Sequence, residues 1–199
     1  MQWQEFTALL VLATAMSFSP GPNNTLSAAL AANYGLPRGL RFACAVMVGW
    51  GALFALCAAG VGAAMVALPA LRWAIKVIGV GYLLWLSTKL FRSGSLSQAN
   101  TARLQVTFWQ GAALQFVNIK AWMFALAVVA GWLAGRSDAL QRFAMIAPTM
   151  MFFAFISNAA YAWMGAALRH WLAQGARLLW FNRAMALVLL FTAVWMWTV

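Results

Sequence analysis

Lys120 ends the stretch Gln115-Phe116-Val117-Asn118-Ile119-Lys120 and is followed by apolar sequence until the next charge, Arg136. A cation held in lipid costs about 3 kcal/mol on insertion scales, and it calls for a counter-charge, a cluster of carbonyls or an anionic ligand. The chain has only two acidic residues, Glu5 and Asp138, and both fall near the outer surface in the topology derived below. Lys120 therefore has no evident carboxylate partner, which leaves a carbonyl cluster or a ligand carboxylate; the alternative is a lysine that snorkels to the cytoplasmic interface. The other polar group interrupts the first apolar stretch: Ser17-Phe18-Ser19-Pro20-Gly21-Pro22-Asn23-Asn24-Thr25. Pro20 and Pro22 remove amide donors and Gly21 permits unusual dihedrals, so a helix should break there. Bare backbone at that depth is tolerated only where protein or a water-filled cavity satisfies it.

Asn23, Asn24, Asn118 and Lys120 are accordingly the leading ligand-binding candidates, with Gln115 and Asn158 behind them and Pro20, Gly21 and Pro22 forming the break. The plainer readings are a proline kink with locally satisfied amides and, for Asn158, a hydrogen bond between helices. Enzymatic constellations are missing: there is no His/Cys/carboxylate group with metal spacing, no G-x-S-x-G and no phosphate-binding glycine loop. Neither an enzyme nor an ATP-driven pump is expected, and no metal or cofactor is called for. Cys44 and Cys57 share one apolar stretch on different helix faces, out of disulfide reach, and read as small buried hydrophobes.

The elements that must position these groups are membrane helices. With 65% hydrophobic residues, 8% charged residues and a mean hydropathy of +0.83, the chain must be solvated by lipid. The lipid bilayer is thus its first partner. The net charge of +11 is spread as single Lys and Arg residues between apolar runs, with no basic stripe for a nucleic acid. Apolar runs at 4–30, 41–66, 71–91, 108–133, 140–168 and 178–198 predict an all-α polytopic bundle of about six transmembrane helices. The first, second and fifth runs are long enough to imply tilt or a break. The opening residues lack the basic n-region of a cleavable signal peptide, so the first helix is expected to be retained.

The polar stretch 92–107 divides this single domain, 1–199, into halves of three helices, 1–92 and 106–199. An odd number of helices in each half places the halves in opposite orientation if they are related. Inverted repeats with paired interruptions are an architecture of secondary transporters. Arg38, Arg41, Lys89, Arg92, Arg103, Arg169, Arg177 and Arg183 fall on one side and Arg72, Lys76, Arg136 and Arg142 on the other. Positive-inside bias then puts the 92–107 loop in the cytoplasm and both termini outside. Most Trp residues fall at span ends; Trp50, Trp122 and Trp163 lie nearer the middle, where ordinary packing is the favoured reading over a pathway lining. Gly35/Gly39, Gly79/Gly81 and Gly131/Gly135 read as places where helices approach closely. His170 reads as interfacial.

Ser19-Pro20-Gly21-Pro22-Asn23-Asn24, followed by a glycine-rich second span, resembles the lysine exporter (LysE/RhtB) family of amino-acid exporters. Gly79-Val80-Gly81-Tyr82-Leu83-Leu84-Trp85-Leu86 matches the family's third-span stretch. Asn118-Ile119-Lys120 matches its Asn-Pro-Lys motif with Ile119 in place of proline, a departure expected to remove the kink there. The doubled Asn23-Asn24, with Phe108-Trp109 and Ala113 through Lys120, is most similar to the cysteine/O-acetylserine exporter branch. Many relatives carry an acidic residue where this chain has Trp50, after Gly49, and its loss argues against a dibasic substrate.

The resemblance implies a multi-pass protein of the bacterial inner membrane. It further implies export of a small amino acid or derivative, cysteine-like or O-acetylserine-like, driven by the proton motive force. Lys120 would attract the substrate carboxylate, and coupling to protons is inferred from the family alone. The alternatives are a membrane thiol-redox carrier, which needs facing cysteines, and a non-transporting membrane subunit. Monomer and oligomer both remain open.

Overall fold

A computed structural model describes residues 1–93 and 106–198. The first half comprises α1 (Trp3–Phe18), α2 (Pro22–Tyr34), α3 (Leu36–Ala58), the short α4 (Val61–Ala67) and α5 (Pro69–Phe91). In the second half are α6 (Phe108–Val117), α7 (Ile119–Val128), which runs into a π-helical turn (Val129–Leu133), α8 (Ala139–Ala167), the single turn α9 (Arg169–Leu172) and α10 (Arg177–Thr198). The expected all-α class holds, and there is no strand among the described residues. Most of the polar connection 92–107 lies outside the described residues.

Local sequence explains where the helices start. Pro22, Pro37 and Pro69 each sit in a first turn, where the missing amide has no partner to lose. Thr107 and Gln110 exchange side-chain and backbone hydrogen bonds in a capping box ahead of α6. Gly35 (φ 92°) lets α3 start directly after α2, and Gly60 (φ 101°) separates α3 from α4.

Fewer than the expected six spans stand as single long helices. Among the described residues, α3, α5, α8 and α10 are long and apolar enough to cross a bilayer; α6 and α7 with its π turn make a fifth if that pair, bent by 68°, is one span. α1 ends after 16 residues, short of the roughly 20 that a span requires, because the two prolines stop it. The run 41–66 likewise stops at Ala58, where the chain turns through Gly60. The run 140–168, by contrast, is one helix of 29 residues that accommodates Pro148. Both halves share an order: a broken pair of shorter helices, then two long ones.

α2 occupies the centre of the bundle. Eleven of its residues, from Pro22 to Asn33, are buried, and its Ala-rich surface lets neighbouring backbones come close, as bilayer packing favours. A methyl group on Gly165 of α8 would lie 2.2 Å from the Ala28 carbonyl oxygen, and one on Gly39 of α3 2.6 Å from the Ala162 Cβ. Gly49 of α3 meets the Ala112 backbone of α6, and Gly79 of α5 meets the Val117 carbonyl. The close-approach reading thus holds for Gly39 and Gly79. It fails for Gly81, Gly131 and Gly135, where an added Cβ would meet nothing within 4 Å; Gly135 instead serves a turn at φ 70°. Trp50 and Trp122 are buried, whereas Trp163 faces outward, 65% exposed.

Both carboxylate side chains of the protein join one ionic cluster. Glu5 accepts from Arg136 (3.2 Å) and Arg142 (3.0 Å), and Arg142 Nε lies 2.9 Å from both Asp138 oxygens. Trp132 Nε1 adds a bond of 2.9 Å to the Glu5 carbonyl. The cluster fastens the start of α1 to the start of α8. It also explains how Arg142 can be buried, since a charge leaves water only when paired.

The Arg142 hydrogen bond holds the Asp138 carboxyl below the usual carboxylate range. A depressed folded-state pKa contributes stability above the unfolded value, about 3.9, that is lost as pH falls through the folded value. Detergent-solubilised protein should therefore lose thermal stability below about pH 4, and Asp138→Asn should flatten that loss while lowering stability at neutral pH. Identical acid profiles for wild type and variant, read by tryptophan fluorescence on heating, would contradict the assignment.

Candidate functional site

The end of α1 carries an accounting problem, because Pro20 and Pro22 cannot supply amides to the carbonyls of Met16 and Phe18. Side chains take their place. Ser19 Oγ donates to the Met16 carbonyl (3.0 Å), and Tyr161 Oη of α8 donates to that of Phe18 (3.0 Å). Asn24 Nδ2 reaches back from α2 to the carbonyls of Ser17 (2.9 Å) and Ser19 (3.1 Å). Lys120 Nζ donates to the Ser19 carbonyl (2.8 Å) and to Ser19 Oγ (2.7 Å). Its partner is thus a carbonyl and a hydroxyl at the negative end of a helix, which favours a cation. A methyl group on Gly21 would stand 3.3 Å from the ammonium.

The other break centres on Asn118, which ends α6 and begins α7 with extended backbone (φ −93°, ψ 101°). Its Oδ1 accepts from the Lys120 amide (3.2 Å), and its carbonyl accepts from the amides of Ala121 and Trp122. Trp122 Nε1 closes on the Phe116 carbonyl at 2.8 Å. The expectation that Ile119 removes the kink is therefore overturned. The break survives because asparagine is a strong N-cap and an indole takes up a carbonyl left behind.

Amide side chains tie the two interruptions together. Asn23 and Gln115 exchange both possible bonds, Nδ2 to Oε1 at 2.9 Å and Nε2 to Oδ1 at 3.1 Å, while Gln115 Nε2 also meets the Gly111 carbonyl. Asn158 Oδ1 accepts from Ser27 Oγ at 2.9 Å, so Asn158 does join helices as the plainer reading had it.

Between the breaks lies a small cavity offering about 50 Å³ to water. Asn23, Asn24, Asn118, Lys120 and Asn158 all contribute to its wall. Gln115 does not; it stands behind Asn23 and holds it. Val46, Trp50 and Phe124 supply apolar wall. Tyr161 and Ser27 were not singled out by sequence, and only their spacing from Asn158 on α8 and from Asn24 on α2 would have marked them. No carboxylate lines the cavity. α2 and α7 both begin at it, and first-turn amides give helix starts a partial positive charge. With the lysine ammonium beside them, the arrangement suits a carboxylate attached to a small, uncharged remainder.

Both cysteines are free, and Cys57 is buried. Among the described residues no group of His, Cys, Asp and Glu is placed to hold a metal ion.

Comparison with known proteins places the chain among translocators. Residues 14–198 match the model of the LysE type translocator family. The chain is 27% identical over 182 residues to the cysteine/O-acetylserine efflux protein of Salmonella typhimurium, covering 89% of this chain and 90% of that protein. It is 27% identical over 184 residues to the protein of the same name from Escherichia coli, covering 92% and 91%. No solved structure matches.

The Asn23–Gln115 exchange can be tested by a double-mutant cycle. Asn23→Ala should strand the buried Gln115 amide and Gln115→Ala the half-buried Asn23 amide, at a cost of up to about 1–3 kcal/mol, the larger for the buried group. Together they should cost less than their sum by about 0.5 kcal/mol or more. Strict additivity in detergent-titrated unfolding would show that the pair does not join the breaks.

Proposed function

On the premise that this chain belongs to the LysE type translocator family, we propose that it exports a small zwitterionic amino acid, cysteine-like or O-acetylserine-like, through the cavity between its two helix breaks. It is a translocator and not an enzyme, and it is a multi-pass protein of the bacterial inner membrane. The observation that carries the substrate reading is Lys120. Its ammonium lies at the cavity beside the starts of α2 and α7, with no carboxylate in the wall.

Lys120 receives the substrate carboxylate in exchange for the Ser19 carbonyl, to which it donates in the structure. Asn23, Asn24 and Asn118 hydrogen-bond the zwitterion, Gln115 holds Asn23 in place, and Asn158 bounds the site from α8. The absence of an acid from the wall disfavours a substrate with a cationic side chain, since nothing would offset its charge. The names of the relatives, cysteine/O-acetylserine efflux proteins, fit such a compound.

The whole chain forms one transporter domain. The shared order of broken pair and two long helices supports a pair of inverted repeats, in which α1 with α2 makes one span and α6 with α7 another, to give six. Export is driven by the proton motive force, as the family resemblance implies.

Lys120→Met should abolish efflux of labelled cysteine or O-acetylserine from preloaded cells, at membrane levels equal to wild type. Lys120→Arg should retain part of it, because a cation remains. Full efflux by the methionine variant would remove Lys120 from the site.

A further inference from the structure

Trp50 stands apart from the other inward-facing indoles. Trp122 Nε1 and Trp132 Nε1 donate to the carbonyls of Phe116 and Glu5. Trp50 is 96% buried and part of the cavity wall, yet its Nε1 has no hydrogen-bond partner. Where its ring meets other rings, these are carbon faces: Phe54 stacks on it at 5.2 Å and 11°, and Phe124 lies tilted at 5.2 Å. Phe54 is in turn stacked on Phe143, and Gly49, next in the chain, abuts the Ala112 backbone. The indole is therefore held firmly, and its donor is left over. A buried donor without a partner is unfavourable, and indoles are ordinarily placed so that the N–H finds one. At a binding cavity, the missing acceptor points to the ligand.

We propose that Trp50 is a specificity-determining residue whose indole N–H donates to an acceptor oxygen on the side chain of the transported amino acid. This rests on the reading of the cavity as a substrate site, and it narrows the class. Lys120 and the helix starts take the carboxylate, which every amino acid has. Trp50, in the apolar part of the wall with Val46 and Phe124, meets what differs among them. A neutral side chain with an ester or carbonyl oxygen satisfies the N–H. A thiol accepts hydrogen bonds weakly, an alkyl chain accepts none, and a cationic side chain offers only donors. A site built to make a hydrogen bond rejects analogues that cannot complete it more strongly than a merely apolar pocket does. The protein should accordingly prefer O-acetyl-L-serine to L-cysteine and to L-norvaline, whose shorter alkyl side chain carries no acceptor.

The test is uptake by proteoliposomes holding purified protein, with labelled O-acetyl-L-serine, L-cysteine and L-norvaline as substrates. Two variants are compared with wild type: Trp50→Phe, and replacement of Trp50 by benzothienylalanine, which keeps the bicyclic shape and lacks the N–H. In wild type the rate ratio of O-acetyl-L-serine to L-norvaline should be high. In the benzothienylalanine protein it should fall by about tenfold, the worth of one neutral hydrogen bond, whether or not Trp50→Phe inserts normally. An unchanged ratio, or wild-type preference for cysteine or norvaline, overturns the role of Trp50 and leaves the transporter standing. Lys120→Met, run in parallel, separates the two claims: if it transports as well as wild type, the cavity itself has been misassigned.

Discussion

The structure depends on one constraint: backbone exposed inside a bilayer must find partners within the protein. Helices normally meet it by themselves, and among the described residues the chain departs from it at the two breaks that face the cavity, Ser19 to Gly21 and Asn118. Each violation leaves carbonyls at the end of one short helix and amides at the start of the next. Lys120 bridges the two, because its backbone lies in the first turn of α7 while its ammonium holds the Ser19 carbonyl at the end of α1. A cation costly in lipid and a helix end lacking donors stabilise each other.

Such an arrangement is easily exchanged. The Ser19 carbonyl carries a partial charge, whereas a substrate carboxylate carries a full one, and charge-assisted hydrogen bonds are the stronger kind. Binding would therefore draw Lys120 from Ser19 and leave Asn24 as the remaining donor to that carbonyl. The joint between α1 and α2 would loosen as the site fills. At its far end α1 is fastened by Glu5, Arg142 and Asp138, so on that reading any freedom gained would be concentrated near the break, where two amides are already missing.

Some of this is legible in the sequence because it is local. Two prolines two residues apart end a helix whatever surrounds them, and the polar side chains beside them mark the cavity. The apolar runs announce membrane helices, but hydropathy averages over short interruptions and so merged α1 with α2 and α3 with α4. The break at Asn118 runs against the expectation that Ile119 removes the kink, because the asparagine side chain caps the next helix without a proline.

What could not be read is long-range pairing. Nothing near Lys120 in the sequence identifies Ser19 as its partner, and nothing near Arg142 identifies Glu5. Both acids looked like ordinary surface residues, yet placing them together in an ion cluster is what leaves the cavity without a carboxylate. That absence decides the chemistry of the site. A single acid at the position of Trp50 could neutralise Lys120 and compete with a substrate carboxylate for it; an indole leaves the positive potential of two helix starts and one ammonium intact. On the proposed function, selectivity for a neutral amino acid would follow from where the two carboxylates are kept as much as from the residues that line the cavity.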